Sequence, residues 1–223
     1  MSLSRRFLLE GAMLLYDYFR SSAAFRVRIA LGLKELSVQR RFIHLLKRGG
    51  EQNADEYRRK NPQGLVPALE LDNGETLTQS LAIIEYLDAL QPEPRLVPAE
   101  PVLAAKARAV ALAIACDIHP LGNLRVLSYL RDELQQSEDA IAGWRTHWVR
   151  EGLRAIEQLI EPAPFCFGAQ PTIADVCLAP QLFYAARFSI SLEAFPKVRA
   201  AGVACDAHPA FQAAHPSAQP DAE

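Results

Sequence analysis

The sequence predicts two domains, an α/β domain followed by an all-α domain. Strand and helix patterns alternate over the first 90 residues, four prolines fall between Gln91 and Pro101, and only helical patterns follow. A chain of 223 residues that is 50% hydrophobic is long enough for two small cores. We therefore expect an α/β domain over residues 13–93, a linker over 94–101 and an all-α domain over 102–223, after a dispensable extension over 1–12.

The α/β domain begins with an aromatic-rich strand near Leu14–Phe19 and an apolar helix directly after it. We expect a second strand over Val38–Leu45, parallel to the first across that helix. A short polar helix over Asp55–Lys60 precedes a hairpin at Asn73-Gly74, because Asn-Gly favours the positive φ angles of a tight turn. A helix over Ser80–Leu90 completes the order, which is that of a thioredoxin-like domain.

The all-α domain is predicted from helical periodicity and from one capping signal. Thr172 and Asp175 form a capping box, in which each side chain satisfies a backbone N–H at the start of a helix, worth on the order of 1 kcal/mol. The expected helices are Val102–Glu133 with an interruption near Pro120 and Gly122, Ala140–Ile160, one starting near Thr172, Phe195–Cys205 and Pro209–Ala214.

Composition excludes several classes of function. A net charge of −2 and an isoelectric point near 6.2 provide no basic field, so nucleic acid is not an expected partner. The four cysteines lack metal-ligand spacing, so we expect no metal, no disulfide framework and a reducing, cytoplasmic compartment. Glu10 and Gly11 interrupt the one export-like run, and no stretch approaches the roughly 18 apolar residues of a membrane span.

The segment Arg20-Ser21-Ser22 joins the first strand to the first helix and is the strongest candidate for a functional site. A strand-to-helix elbow leaves N–H groups unpaired at the first turn, where the helix dipole favours an anion. Ser21 and Ser22 place hydroxyl groups beside those N–H groups. An anion or thiolate site and a plain capped helix are both compatible with this composition.

Two separate strings resemble the zeta class of glutathione transferases. The string Arg20-Ser21-Ser22-x-x-Phe25-Arg26-Val27-Arg28-Ile29-Ala30-Leu31 is similar to the glutathione-site signature of that class. The string Gly168-x-x-x-Thr172-x-Ala174-Asp175 is similar to one that is typical of the C-terminal domain. The resemblance runs from about Leu14 to Asp221 and implies a thioredoxin-like domain, an all-helical glutathione transferase domain, glutathione as the cofactor and a homodimer.

The resemblance also implies which residues bind glutathione. Ser21 takes the leading role toward the thiolate with Ser22 beside it, and these two are the candidate catalytic residues. Lowering a thiol pKa by about two units from roughly 8.5 requires roughly 2.7 kcal/mol of preferential stabilisation of the thiolate. The other implied glutathione-binding residues are Gln52, Val66, Pro67, Gln79, Ser80, His119 and Asn123.

Two of these assignments have a purely structural alternative. Val66-Pro67 matches a cis-proline of the family, but a trans proline entering an edge strand also fits the sequence. Gln79-Ser80 opens a helix whose N–H groups suit the γ-glutamyl carboxylate, but Ser80 is also suited to be an ordinary helix cap.

Three arginines are candidates for holding an anionic substrate, because a guanidinium group can bond both oxygens of a carboxylate. They are Arg20, Arg125 and Arg187. Arg187, followed by Phe188, matches a family position that is credited with holding the substrate carboxylate.

The string from Cys116 to Arg125 is similar to that of bacterial members of the class that isomerise maleylpyruvate. His119 and Arg125 are six residues apart, so they do not share a face of an unbroken helix and Pro120 and Gly122 must distort it. His119 is alternatively a packed or surface histidine.

The activity that the resemblance implies is glutathione-dependent cis-trans isomerisation of a maleyl diketo acid. Of the two candidate substrates, maleylacetoacetate is favoured over maleylpyruvate. The reaction would belong to the degradation of aromatic amino acids or related compounds. Ala23 and Ala24 stand where zeta enzymes commonly have Cys and Ser, so no mechanism that needs a protein thiol at this point applies. Two other functions stay open: a glutathione transferase acting on small α-halo acids, and a non-catalytic glutathione-binding protein.

Overall fold

A computed structural model describes residues 13–223, and the extension predicted over residues 1–12 lies outside the described residues. The chain forms two compact units, one α/β and one all-α, as predicted. The break between the units follows Arg95, and the second unit is Leu96–His208. The segment Pro209–Glu223 belongs to the first unit, whereas the sequence placed it in the all-α domain.

The first unit contains a four-stranded sheet in the order β2-β1-β3-β4. Strand β1 is parallel to β2 and antiparallel to β3, and β3 is antiparallel to β4. The predicted crossover and the hairpin at Asn73-Gly74 are both confirmed, with Gly74 at a φ of 83°. The strands are β1 (Leu14–Asp17), β2 (Gln39–Phe42), β3 (Ala68–Glu70) and β4 (Thr76–Thr78).

Helices account for the rest of the regular structure, and several have the bounds that the sequence predicts. Within the described residues the α-helices are α1 (Ser22–Leu33), α2 (Asp55–Lys60), α3 (Ser80–Leu90), α4 (Pro101–Leu112), α5 (Leu124–Asp132), α6 (Glu138–Leu159), α7 (Ile173–Arg187), α8 (Pro196–Ala207) and α9 (Pro209–Ala214). None of them combines the length and the apolar character that crossing a bilayer requires.

The C-terminal segment joins the first unit through hydrogen bonds between residues far apart in sequence. The Arg28 guanidinium donates from Nε to the carbonyl of Ala214 at 3.0 Å. The backbone N–H of Phe19 donates to Asp221 Oδ2 at 3.0 Å. Helical periodicity reports only on neighbours along the chain, so it could not assign α9 and the residues after it to the correct unit.

The long helical region predicted over Val102–Glu133 is interrupted, as expected, but the distortion starts before the proline. After α4 the chain forms a π-helical segment, Ala113–Ile118, and then a 3₁₀ turn, His119–Gly122. Helix α6 passes close to the π-helical segment at Gly152, where an added Cβ would lie 2.2 Å from Ile118 Cδ1. Glycine is therefore required at this position of α6.

The capping box at the start of α7 is confirmed and contains one bond that the sequence did not reveal. Asp175 Oδ2 accepts from the Thr172 backbone N–H at 2.8 Å and from its hydroxyl at 2.9 Å. Asp175 Oδ1 accepts from the backbone N–H of Cys166 at 2.7 Å. The carboxylate is fully buried, so it joins the preceding loop to the helix in addition to capping it.

We expect Asp175→Ala to lower the free energy of unfolding by about 3 kcal/mol, more than a cap alone contributes. The substitution leaves two backbone N–H groups and one hydroxyl buried without their acceptor. Urea denaturation followed by circular dichroism measures the loss.

The matched control for Asp175→Ala is Glu100→Ala. Glu100 is the N-cap of α4, and its carboxylate also accepts from two backbone N–H groups, those of Val102 and Leu103, but in an exposed position. Equal losses in the two variants would show that burial of the Asp175 carboxylate is unimportant.

Candidate functional site

The elbow before α1 presents a serine hydroxyl that can donate a hydrogen bond. Ser21 is the N-cap of α1, and its Oγ accepts from the Ala24 backbone N–H at 3.1 Å. Its own N–H donates to the Tyr18 carbonyl at 2.9 Å, which closes the turn. Because the hydroxyl oxygen is the acceptor in the cap, its hydrogen remains available to a second partner.

The first turn of α1 is suited to an anion. Ser22 is its first residue and is buried, and the turn contains no acidic side chain that would compete for the unpaired N–H groups. Arg20, just before the cap, is half-buried with its guanidinium 4.8 Å from the Phe19 ring centroid. Ala23 and Ala24 follow, so this turn contains no protein thiol.

Helix α3 begins with a strained residue. Gln79 is the N-cap, with a φ of 68° and a ψ of 118°, and its side chain makes no capping bond. A positive φ at a residue other than glycine costs on the order of 1–3 kcal/mol, and such strained residues cluster at active sites and ligand sites. The side-chain amide of Gln79 instead donates from Nε2 to Gln63 Oε1 at 2.8 Å.

Ser80 is the first residue of α3, so the alternative that it caps the helix is wrong, because Gln79 occupies the cap position. The Ser80 side chain is buried, and its Oγ accepts from Arg26 Nη1 at 3.2 Å. The N–H groups of the α3 first turn and the Ser80 hydroxyl therefore lie at the same helix end.

Two further segments of the first unit were expected to contact glutathione. The Val66–Pro67 peptide bond is cis and directly precedes β3, so the trans alternative is wrong. Gln52 lies in a short 3₁₀ turn and donates from Nε2 to the Leu45 carbonyl at 3.3 Å. Its Oε1 is buried and has no hydrogen-bond partner among residues 13–223. Gly50, beside it, has a φ of 90°, a backbone conformation that residues with a Cβ rarely adopt.

The predicted site residues divide between the two units. Those of the first unit are Arg20, Ser21, Ser22, Gln52, Val66, Pro67, Gln79 and Ser80. Those of the second unit are His119, Asn123, Arg125 and Arg187.

In the second unit, His119 opens a 3₁₀ turn that is held in place from two helices. The Trp144 indole N–H of α6 donates to the Leu121 carbonyl at 2.8 Å, and the Tyr184 hydroxyl of α7 donates to the Gly122 carbonyl at 3.0 Å. An added Cβ at Gly122 would lie 2.4 Å from the Tyr184 hydroxyl oxygen. The turn is therefore closely fitted to both helices.

Asn123 and Arg125 follow that turn at the start of α5. Asn123 is the N-cap, and its Oδ1 accepts from the Arg125 backbone N–H at 3.1 Å. The Arg125 side chain is exposed in the first helical turn, where the positive end of the dipole disfavours a cation. A bound carboxylate would remove this unfavourable interaction.

Arg187 ends α7, and its guanidinium lies 5.0 Å from the Phe188 ring centroid. Arg145 of α6 lies 3.7 Å from the same centroid. Burial raises the pKa of Tyr184, whereas the positive charges of Arg145 and Arg187 act in the opposite direction. Two guanidinium groups and one hydroxyl thus share the surroundings of Phe188.

Two arginines, one in each unit, were not assigned a role from the sequence. Arg145 lies in the middle of a helix, and no local pattern distinguishes it from an ordinary exposed residue. Arg26 is part of the signature string, and the sequence could not show that its side chain reaches Ser80, 54 residues further on.

Groups suited to bind a metal and accessible thiols are scarce in the described part of the chain. Residues 13–223 contain no cluster of three or more histidine, cysteine or acidic side chains arranged to hold a metal ion. All four cysteines are free, and only Cys116 is exposed. Burial raises the pKa of the Cys166 and Cys205 thiols, so these two are poor nucleophiles.

Comparison with known proteins gives matches to both units. The glutathione S-transferase N-terminal domain family matches residues 20–90, and the C-terminal domain family matches residues 138–202. A maleylacetoacetate isomerase of Pseudomonas aeruginosa is 48% identical over 209 residues, covering 94% of this chain and 98% of the relative.

Solved structures agree with these matches. The holo structure of a maleyl pyruvate isomerase, described as a bacterial glutathione-S-transferase in the zeta class, has a TM-score of 0.90 at 41% identity and covers 94% of this chain and 100% of that one. A maleylacetoacetate isomerase of Anaeromyxobacter dehalogenans with bound GSH has a TM-score of 0.85 at 39% identity, covering 95% of this chain and 98% of that one.

Proposed function

Because the chain belongs to the zeta class of the glutathione transferases, we propose that it is a glutathione-dependent cis-trans isomerase of a maleyl diketo acid, with maleylacetoacetate ahead of maleylpyruvate. The observation that carries this proposal is the Ser21 hydroxyl, which caps α1 through its oxygen and keeps its hydrogen for an anion at the positive end of the helix. Such an arrangement stabilises a thiolate.

The residues of the first unit fit the functional groups of glutathione. The tripeptide carries a thiol, two carboxylates and peptide N–H groups. For the anions the unit offers the N-termini of α1 and α3 and two serine hydroxyls, and for a peptide N–H it offers the unpaired Oε1 of Gln52. When bound, glutathione supplies a thiolate that adds to the cis double bond and leaves after rotation about the resulting single bond.

The chain's own groups position and stabilise this anion. Ser21 donates to the thiolate, and the N–H groups around Ser22 add the field of the helix end. The α3 first turn with Ser80 holds the γ-glutamyl carboxylate, next to Gln79. Val66 and Pro67 contact the peptide backbone, and Gln52 contacts the glycyl end. We retain His119 and Asn123 as further glutathione contacts, on the resemblance alone.

The arginines bind the diacid. On the family resemblance, we assign the carboxylates of the diacid to Arg187 and Arg125, and the negative charge that develops as the double bond is attacked to Arg20. Fixing both ends of the substrate leaves one torsion to change, which lowers the entropic part of the barrier. Guanidinium donors also stabilise developing charge on an oxygen.

Initial rates on maleylacetoacetate, maleylpyruvate and dichloroacetate, each with and without glutathione, test the proposal. We expect glutathione-dependent isomerisation of a maleyl acid that exceeds any turnover of the halo acid. Turnover of dichloroacetate alone would establish the transferase alternative. Binding of glutathione with no turnover of any of the three would establish a non-catalytic binding protein.

Maleylpyruvate is the second candidate substrate because of the segment Cys116–Arg125. His119, in the 3₁₀ turn, and Arg125, in the first turn of α5, stand where many eukaryotic-type maleylacetoacetate isomerases resemble one another in having glutamine and serine. A higher kcat/KM for maleylpyruvate than for maleylacetoacetate would reverse the order of the two.

We expect Arg187→Ala to raise the KM for the diacid about tenfold or more, because the substrate loses a charge-assisted contact worth roughly 1.5–3 kcal/mol. The Kd of glutathione, measured by calorimetry, should stay unchanged. The matched control is Arg150→Ala, since Arg150 also lies over a phenylalanine ring of the second unit, 5.8 Å from the Phe195 centroid. Equal loss of affinity for glutathione and diacid would contradict this division of roles.

The family resemblance also supports a homodimer in the cytoplasm that acts in the degradation of aromatic amino acids or related aromatic compounds. Sedimentation velocity of the purified chain tests the dimer, for which we expect about twice the monomer mass of 24.7 kDa. A monomer at micromolar concentration would contradict it.

A further inference from the structure

Helix α1 contains two buried arginines, Arg26 and Arg28, and the two have different roles. Arg28 is bonded to the Asp17 carboxylate and to the backbone carbonyls of Phe19 and Ala214, so it holds the first unit together. Arg26 is 1% exposed, and its Nη1 donates to the Ser80 hydroxyl at 3.2 Å. Taking a guanidinium group out of water is costly, so a buried one needs a compensating role.

The bond between Arg26 and Ser80 determines which way the serine hydroxyl can act. A guanidinium group has only donors, so Ser80 Oγ must be the acceptor. The hydroxyl hydrogen is then directed to a different acceptor. A fixed positive charge also lies beside the first turn of α3, where it adds to the helix dipole.

We propose that Arg26 is a positioning residue for the γ-glutamyl carboxylate of glutathione. It fixes Ser80 as a hydrogen-bond donor to that carboxylate and strengthens the positive potential at the start of α3. This inference rests on the proposed function, which places the carboxylate at Ser80.

Isothermal calorimetry of the full chain with two ligands tests this role. One ligand is glutathione, and the other is the same tripeptide without the α-carboxylate of its γ-glutamyl residue. Four variants are compared with the wild-type protein: Arg26→Gln, Arg26→Lys, Ser80→Ala and the double variant Arg26→Gln/Ser80→Ala. Arg26→Lys keeps the buried charge. If Arg26→Gln does not fold, Arg26→Lys is the variant whose two affinities are compared with those of the wild-type protein.

We expect Arg26→Gln to weaken glutathione binding about tenfold and to change the affinity for the truncated ligand by less than about twofold. Arg26→Lys should retain part of the affinity because it keeps the charge. The double variant should bind glutathione at most about threefold more weakly than Ser80→Ala does, because Arg26 acts largely through Ser80.

Three results would overturn the inference. In the first, Arg26→Gln and Arg26→Lys bind glutathione as the wild-type protein does. In the second, the variants lose affinity for both ligands alike, which a purely structural role would produce. In the third, Ser80→Ala leaves the preference for glutathione unchanged. Failure of the wild-type protein to bind glutathione at all is a separate outcome, which removes the proposed function as well.

Discussion

Ser21→Ala raises the pKa of the thiol of bound glutathione by about one to two units, which corresponds to losing a hydrogen bond to a charged group worth roughly 1.5–3 kcal/mol. In the wild-type protein the Ser21 oxygen accepts from Ala24 N–H, so the hydroxyl hydrogen is the group that can stabilise the thiolate. Alanine removes that donor. Titration of the ultraviolet absorbance of the thiolate in the binary complex measures the change.

The pH dependence of the rate should follow from this shift. Below the pKa of the bound thiol, the thiolate fraction falls tenfold for each unit, so raising the pKa moves the acidic limb of the kcat profile to higher pH. At neutral pH we expect kcat to fall roughly 3- to 25-fold, because a bound thiol with a pKa of about 6.5 is already mostly thiolate there, and the two proteins should converge at alkaline pH. A uniform loss at every pH would indicate a role other than thiolate stabilisation.

Two controls separate the hydroxyl's role toward the thiol from its role as a helix cap. Ser137 caps α6 with the same geometry, its Oγ accepting from Ala140 N–H at 3.2 Å. Ser137→Ala therefore removes an equivalent cap and should leave the thiol pKa unchanged. Ser21→Thr keeps the hydroxyl and should keep a low pKa. Ser22→Ala reports whether the neighbouring hydroxyl contributes.

Asp17→Ala should lower the free energy of unfolding by about 3–5 kcal/mol, because it breaks a buried ion pair by removing one partner. Asp17 is fully buried, and its Oδ1 accepts from Arg28 Nη1 at 2.6 Å and from Tyr18 N–H at 2.7 Å. Burial lowers the pKa of Arg28, and the Asp17 carboxylate acts in the opposite direction. Without Asp17 the buried positive charge of Arg28 loses its carboxylate partner.

This substitution should also weaken glutathione binding. Arg28 donates to the carbonyls of Tyr18 and Phe19, at 3.4 and 3.0 Å, and therefore holds the backbone that leads into the elbow at Ser21. Urea denaturation gives the loss of stability, and calorimetry at a temperature where the variant is folded gives the loss of affinity.

Arg40→Ala is the matched control for Asp17→Ala. Arg40 contacts the other oxygen of the same carboxylate, but its side chain is 25% exposed, so removing it should cost much less. If the two variants unfold at the same urea concentration, the buried Arg28–Asp17 pair does not have the role assigned to it.

The sequence predicted the first and last residues of a helix most accurately where a single residue type marks the end of that helix. The bounds of α2, α3 and α9 agree with the prediction, because α2 and α3 are each followed two residues later by a proline and α9 begins with one. Strands β1 and β2 are shorter than predicted, because the pattern of side chains does not show where the hydrogen bonds between strands stop.

Only part of the candidate site could be predicted from the sequence. The elbow at Ser21 could be predicted because a strand end, two hydroxyl residues and an apolar helix are consecutive in the chain. The partner of Ser80 could not, since Arg26 is 54 residues away and its side chain resembles that of any other arginine. The same holds for Arg145, which contacts Phe188 only in the folded protein.

The sequence by itself determined the two-part architecture, the order of strands and helices, the elbow before α1 and the capping box of α7, because each depends on residues close together along the chain. Only the tertiary structure decided that Pro209–Glu223 returns to the first unit, that Asp17 is the buried partner of Arg28, and that Arg26 orients Ser80. Those contacts join residues 11 to more than 180 positions apart, and they form only when packing brings the chain segments together.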